Sequence, residues 1–111
     1  MENSKLNKDI MGKLRELARY MPNKKLALSL AIHPTEKGVR GGVQCVCAIC
    51  GLCFPMGDVQ VDHIQPVVPV DREILSWDEY IERLFCGVDN LQVLCKPCHQ
   101  IKTNDENHDR L

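Results

Sequence analysis

The residues with the greatest chemical capacity are cysteines, histidines and acids set at short spacings. Cys47-Ala-Ile-Cys50 and Cys95-Lys-Pro-Cys98 form two CxxC pairs, and Asp62-His63, Asp89-Asn90 and His99 lie between or beside them. A CxxC turn brings two thiolates to one ion, and two such turns complete a tetrahedral four-thiolate zinc site with no open position. Such a site is structural: Cys47, Cys50, Cys95 and Cys98 would tie the first turn to the start of the last helix across a long loop. Cys50-Gly-Leu-Cys53 is also a CxxC, and Cys45 lies nearby. Cys47 and Cys50 are preferred because Gly51 follows directly and permits the tight turn that a metal knuckle requires. Cys45, Cys53 and Cys86 are then surplus. Free core thiols are the alternative, since cysteine packs as a small apolar residue, but the paired spacing in a short chain favours metal.

A single histidine at the end of a strand is more often structural than reactive. Here a carboxylate precedes it directly, an asparagine follows at a distance, and His99 comes at the second cysteine pair. Taken together, Cys47-x-x-Cys50-Gly, Val61-Asp-His-Ile64, Asp89-Asn-Leu91 and Leu94-Cys-x-x-Cys-His-x-x-Lys102 resemble the HNH endonuclease family, the His-Me finger or ββα-metal nucleases. The motif set is similar to the phage and prophage branch with two CxxC pairs, and it spans about residues 45–104. The family letters fall on His63, Asn90 and His99. The resemblance implies hydrolysis of DNA phosphodiesters. His63 would be the general base on a water, and Asp62 with His99 would hold one divalent ion, Mg²⁺ or Mn²⁺, with Ni²⁺ or Co²⁺ as substitutes. Asn90 would tie the loop to the strand and orient His63. Lys102, one turn after His99, could reach a phosphate, although a solvated helix lysine is an equal reading. The connection from His63 to Asn90 is longer than in minimal members.

The elements that must carry these residues are legible in outline. Leu6, Ile10, Leu14, Leu17 and Met21 recur along one face of a helix, with Ser4 as its N-cap and Pro22 at its end. A second helical run covers about residues 24–32, closed by Pro34, and the glycine-rich stretch 35–42 reads as a loop. In the core, 58–64 alternates as a strand, and Pro66 and Pro69 open a long connection. Within it, Ser76–Phe85 has the capping pattern of a helix with Glu79 in the box, its face Trp77, Tyr80, Ile81, Leu84 and Phe85 assigned to packing. A strand over 91–94 and a helix over about 95–105, with Pro97 in the first turn, complete the order. The fold class is α+β: a small ββα-metal core with a four-cysteine zinc site over residues 43–111, preceded by a basic helical arm and linker over 1–42.

Composition sets the limits. At 111 residues with 5% aromatics, one thin core is expected, and a metal staple suits it. The N-terminal residues have no apolar signal region and no stretch spans a bilayer, so a cytoplasmic location is expected, in a bacterial or phage-infected cell, with no membrane partner. Seven cysteines in a reducing compartment favour metal over disulfides. The net charge of −1 hides an asymmetry: residues 1–44 carry nine of the fourteen lysines and arginines and four of the fifteen acids. A basic arm on an acidic, metal-binding body suits a polyanion, and phosphate contacts predict weak sequence preference. The competing reading is a zinc-stabilised DNA-binding or adaptor module without catalysis. A nuclease fold kept as an interaction part, beside phage packaging proteins, is a third, and a homodimer would be needed to cut both strands at once.

Overall fold

A computed structural model describes residues 4–74 and 76–110. Helix α1 (Lys5–Ala18) starts where Ser4 Oγ accepts from Asn7 N at 3.1 Å. Its buried face follows the periodicity only in part: Leu14, and Met21 beyond its end, pack as expected. Leu6 and Leu17 are 67% and 63% exposed, whereas Met11, Leu14 and Ala18 pack inward. The partner decides the face: Tyr80, fully buried, lies under α1 and donates from its hydroxyl to Met11 O at 3.3 Å.

Helix α2 (Pro22–Leu30) begins at Pro22, whose fixed φ and missing N–H suit a first turn. Pro22 therefore opens the second helix as well as following the first. The expected helical run to Ile32 and loop over 35–42 are corrected. Ile32–Lys37 forms strand β1, paired antiparallel with β2 (Val43–Val46). Pro34 is tolerated there because β1 is an edge strand. Only Gly38–Gly42 remains as the turn, with Gly41 at φ +77. Strand β3 (Cys53–Pro55) completes this three-stranded sheet in the order β1-β2-β3. The β1–β2 hairpin crosses the boundary drawn at residue 42.

A 3₁₀ turn over Met56–Asp58 leads into β4 (Val59–His63), which pairs antiparallel with β5 (Leu91–Cys95) from Val59↔Cys95 to His63↔Leu91. The long connection between them contains α3 (Trp77–Leu84), capped as expected by Ser76 Oγ accepting from Glu79 N at 3.1 Å. Arg83 donates to the carbonyls of Pro66 and Val67 and so fastens the proline-rich part of this connection to the helix. Helix α4 (Lys96–Asp109) follows β5 without a loop and runs four residues past the expected end. Among the described residues, four α-helices and two small antiparallel sheets make an α+β fold in which β4, β5 and α4 form a strand–strand–helix unit.

The core is thin and divided. Ala18, Ile74, Tyr80 and Leu84 form one cluster, Met21, Ala27 and Leu91 a second, and Cys47, Leu94 and Cys95 a third. The radius of gyration, 15.6 Å, exceeds the roughly 13 Å of a compact domain of about 100 residues. Two residues of α3 separate packing from exposure cleanly: Leu84 is 3% exposed and Ile81, expected on the buried face, is 42% exposed. Leu84→Ala should therefore cost about 2–5 kcal/mol, and Ile81→Ala under about 1 kcal/mol. Urea unfolding of the two variants checks this; equal losses would refute the orientation of α3.

Candidate metal centre and adjoining cleft

The first site is built by two turns. Strand β2 ends at Val46, and the chain folds back so that Cys47 N donates to Leu52 O and Gly51 N to Cys47 O, both at 2.9 Å. Gly51 stands at φ +74, a conformation in which side chains beyond hydrogen are strained. Ala48 N reaches Val93 O at 2.9 Å and fixes this knuckle against β5. Cys95 ends β5, and Cys98 lies in the first turn of α4. The result is a cluster in which the sulfurs of Cys47, Cys50, Cys95 and Cys98 lie within 4.8 Å of one another. Cys50 Sγ and Cys95 Sγ are 3.9 Å apart. The pairing Cys47/Cys50 is the one that assembles; Cys45 and Cys53 sit on β2 and β3 outside the cluster, and Cys86 follows α3.

Four acidic thiols this close cannot all ionise without a cation. Burial opposes ionisation of Cys47, but the backbone amides of Cys50, Cys95 and Ile49 outweigh it and hold its pKa at about 6. The neighbouring Cys95 sulfur pushes Cys98 up to about 12. A soft divalent cation such as zinc relieves this conflict, and four sulfurs at this spacing could hold one. Binding must then displace protons. Metal retention against a chelator should weaken as pH falls across the neutral range, because Cys98 and Cys50 must give up protons, and more steeply below about 6, where Cys47 protonates as well. Cys95→Ser should bind less metal and lose the cooperative unfolding transition. Metal analysis with circular dichroism tests both, and full metal content in Cys95→Ser would refute this ligand set.

The second group gathers where β4 ends against α4. Asp62 Oδ1 faces His99 Nε2 at 3.7 Å, with side chains 17% and 30% exposed. That gap is too long for a direct hydrogen bond, and the two atoms are close enough that a small side-chain adjustment would let both reach one ion. The other oxygen, Asp62 Oδ2, accepts from Lys102 Nζ at 2.9 Å and from Gln92 Nε2 at 3.4 Å. Among the described residues the four cysteines are the one group of three or more metal-binding side chains within reach of a common ion. Asp62 and His99 thus offer two ligands, leaving the remaining positions to water or substrate.

His63, next along β4, is oriented from outside both strands. Its Nε2 lies 2.9 Å from Leu84 O, the last carbonyl of α3. A carbonyl only accepts, so Nε2 carries the proton and the lone pair of the neutral ring is on Nδ1. Burial holds the ring below the ordinary 6.5, with Lys24 and Lys102 adding to the effect against the Leu84 carbonyl and Asp62. A neutral imidazole with a bare Nδ1 can take a proton at neutral pH.

Asn90 and Lys102 take different positions from those expected. The Asn90 amide brackets Gln65, accepting from its N at 2.9 Å and donating to its O at 3.4 Å, while Asn90 O accepts from Ile64 N at 2.8 Å. It ties the loop after His63 to β5 as expected, but the ring is held by Leu84. Lys102 is neither solvated nor free for a phosphate: its three donors go to Asp62 Oδ2 and Glu106 Oε1, both at 2.9 Å, and to His63 O at 3.0 Å. Burial opposes its charge, yet the bonds to Glu106 and Asp62 prevail and raise its pKa. Leu84, Gln92 and Glu106 escape sequence reasoning, the first because a backbone carbonyl has no residue signature. His33 is local, its Nδ1 accepting from Thr35 N and Glu36 N.

Asp62, His63, Leu84, His99, Lys102 and Glu106 line a cleft of about 740 Å³, to which Arg15 of α1, Arg19 just after it and Lys24 of α2 also contribute. No helix of the described residues is long and apolar enough to cross a membrane. No protein-family model matches the chain, and no curated protein or solved structure matches it significantly.

Proposed function

We propose that this protein is a metal-dependent HNH-type endonuclease that hydrolyses DNA phosphodiester bonds, with a structural zinc at Cys47, Cys50, Cys95 and Cys98. The observation that carries the reading is the bond from His63 Nε2 to Leu84 O. It fixes the tautomer a general base needs, beside an Asp62–His99 pair close enough to share one ion. In the reaction, Nδ1 of His63 takes a proton from the water that attacks phosphorus. Asp62 and His99 would hold a divalent ion, Mg²⁺ or Mn²⁺, which supplies charge neutralisation at the phosphate and at the departing oxygen. Lys102 keeps Asp62 Oδ2 occupied, so Oδ1 is the oxygen left facing His99. Asn90 and Gln92 hold the two strands in register around the site.

The alternative, a zinc-stabilised binding or adaptor module, accounts for the cysteine cluster and the basic wall. It has no use for an imidazole held with Nδ1 bare. Purified protein should nick supercoiled plasmid when Mg²⁺ or Mn²⁺ is added, and His63→Ala should lower the rate by about 10²–10⁴-fold. Zinc content should be unchanged in that variant. Absence of ion-dependent nicking, or equal cutting by His63→Ala, refutes the enzyme reading.

A further inference from the structure

Part of the cleft lining comes from residues outside the motif-bearing core. Arg19, which follows α1, and Lys24, in the first turn of α2, line the cleft together with the Asp62/His63/His99 cluster. Neither has a carboxylate partner among the described residues, in contrast to Lys13, Arg72 and Lys102. Lys24 is also partly withdrawn from water. Burial of Lys24 outweighs the attraction of Asp62 and Cys86, neither of which pairs with it directly, so an anion arriving in the cleft would stabilise its charge, while Arg19 is exposed and open to the same ligand.

The same two residues line a second hollow, of about 420 Å³, on the far side from the site, together with Lys25 and Gln60. They therefore stand on the divide between two adjoining depressions. A chain of regularly spaced negative charges is the ligand that fills both and has one charge in the site and others beyond it. On the floor, Lys102 is taken up by Asp62 and Glu106 and has no charge to spare for such a ligand.

We propose that Arg19 and Lys24 are the phosphate clamp of the enzyme: they bind the DNA backbone next to the phosphate that enters the His63 site and carry the strand onward over β4. The inference rests on the nuclease reading for the position of that phosphate, and it assigns a substrate-binding role to α1 and α2.

The test measures binding of the full chain to a short fluorescein-labelled DNA duplex by anisotropy over a salt series, in a His63→Ala background that cannot cut. Arg19→Ala/Lys24→Ala should bind about tenfold more weakly or worse at low salt, and its slope of log K against log salt should be shallower by about 1.8. Lys37→Ala/Arg40→Ala removes the same charge from the β1–β2 hairpin, which lines neither hollow; it should leave the slope nearly unchanged. Metal content and urea midpoint, measured on both variants, show that each is folded. Equal effects of the two double variants, or a chain that does not bind DNA, overturn the assignment. Plasmid cutting by the unaltered chain is scored separately. Cutting without a specific Arg19/Lys24 effect defeats the clamp alone, and a specific effect on binding without cutting defeats the nuclease reading while retaining the backbone contact.

Discussion

The arrangement of this protein depends on four sulfur atoms drawn together from distant parts of the chain. Strand β2 and helix α4 have no broad apolar interface, and the buried cluster between them is two cysteines and one leucine. Most of the remaining apolar surface is spent on small contacts under α1 and α3. A chain this poor in aromatic residues gains little from side-chain burial at that end. A shared cation would convert the mutual repulsion of thiolates into a bond network that fixes β5 and the first turn of α4. The direction of α4 then decides where His99, Lys102 and Glu106 point, one turn after another along the same face.

From that anchor the site assembles by register and helix phase. The β4–β5 pairing sets His63 opposite Leu91 and Asp62 opposite Gln92, which brings Gln92 to the side of the Asp62 carboxylate. Alternation along β4 sends Asp62 and His63 to opposite faces, so one meets α4 and the other meets the end of α3. The two cannot exchange roles without a slip of the whole ladder.

The sequence carried this much because the informative features were local. A CxxC turn with glycine behind it, a capped α3 and a strand alternating up to His63 each need only a few neighbouring residues to be recognised. The α+β composition and all four cysteines of the cluster were legible for that reason. What was not legible depended on partners. The buried face of α1 was misread in part, because Tyr80, far away in sequence, selects Met11 and Ala18 beside the expected Leu14 and leaves Leu6 and Leu17 outside. The β1 strand was hidden by Pro34 and by a polar run that only an edge position tolerates. Lys102 was readable as a helix lysine, but its partners, Asp62 and Glu106, come together only when β4 docks on α4.

The orienting bond to His63 has a consequence for how the chain can change. The acceptor is the Leu84 carbonyl, an atom that every amino acid supplies. Replacement of the Leu84 side chain can loosen packing but cannot delete the acceptor itself. A length change in the stretch between Pro69 and Phe85, by contrast, would move the end of α3 and take the acceptor away. The orientation of the imidazole thus survives a substitution at Leu84 but not a change in length, so α3 behaves as a fixed-length spacer for it, whatever such a substitution costs in packing.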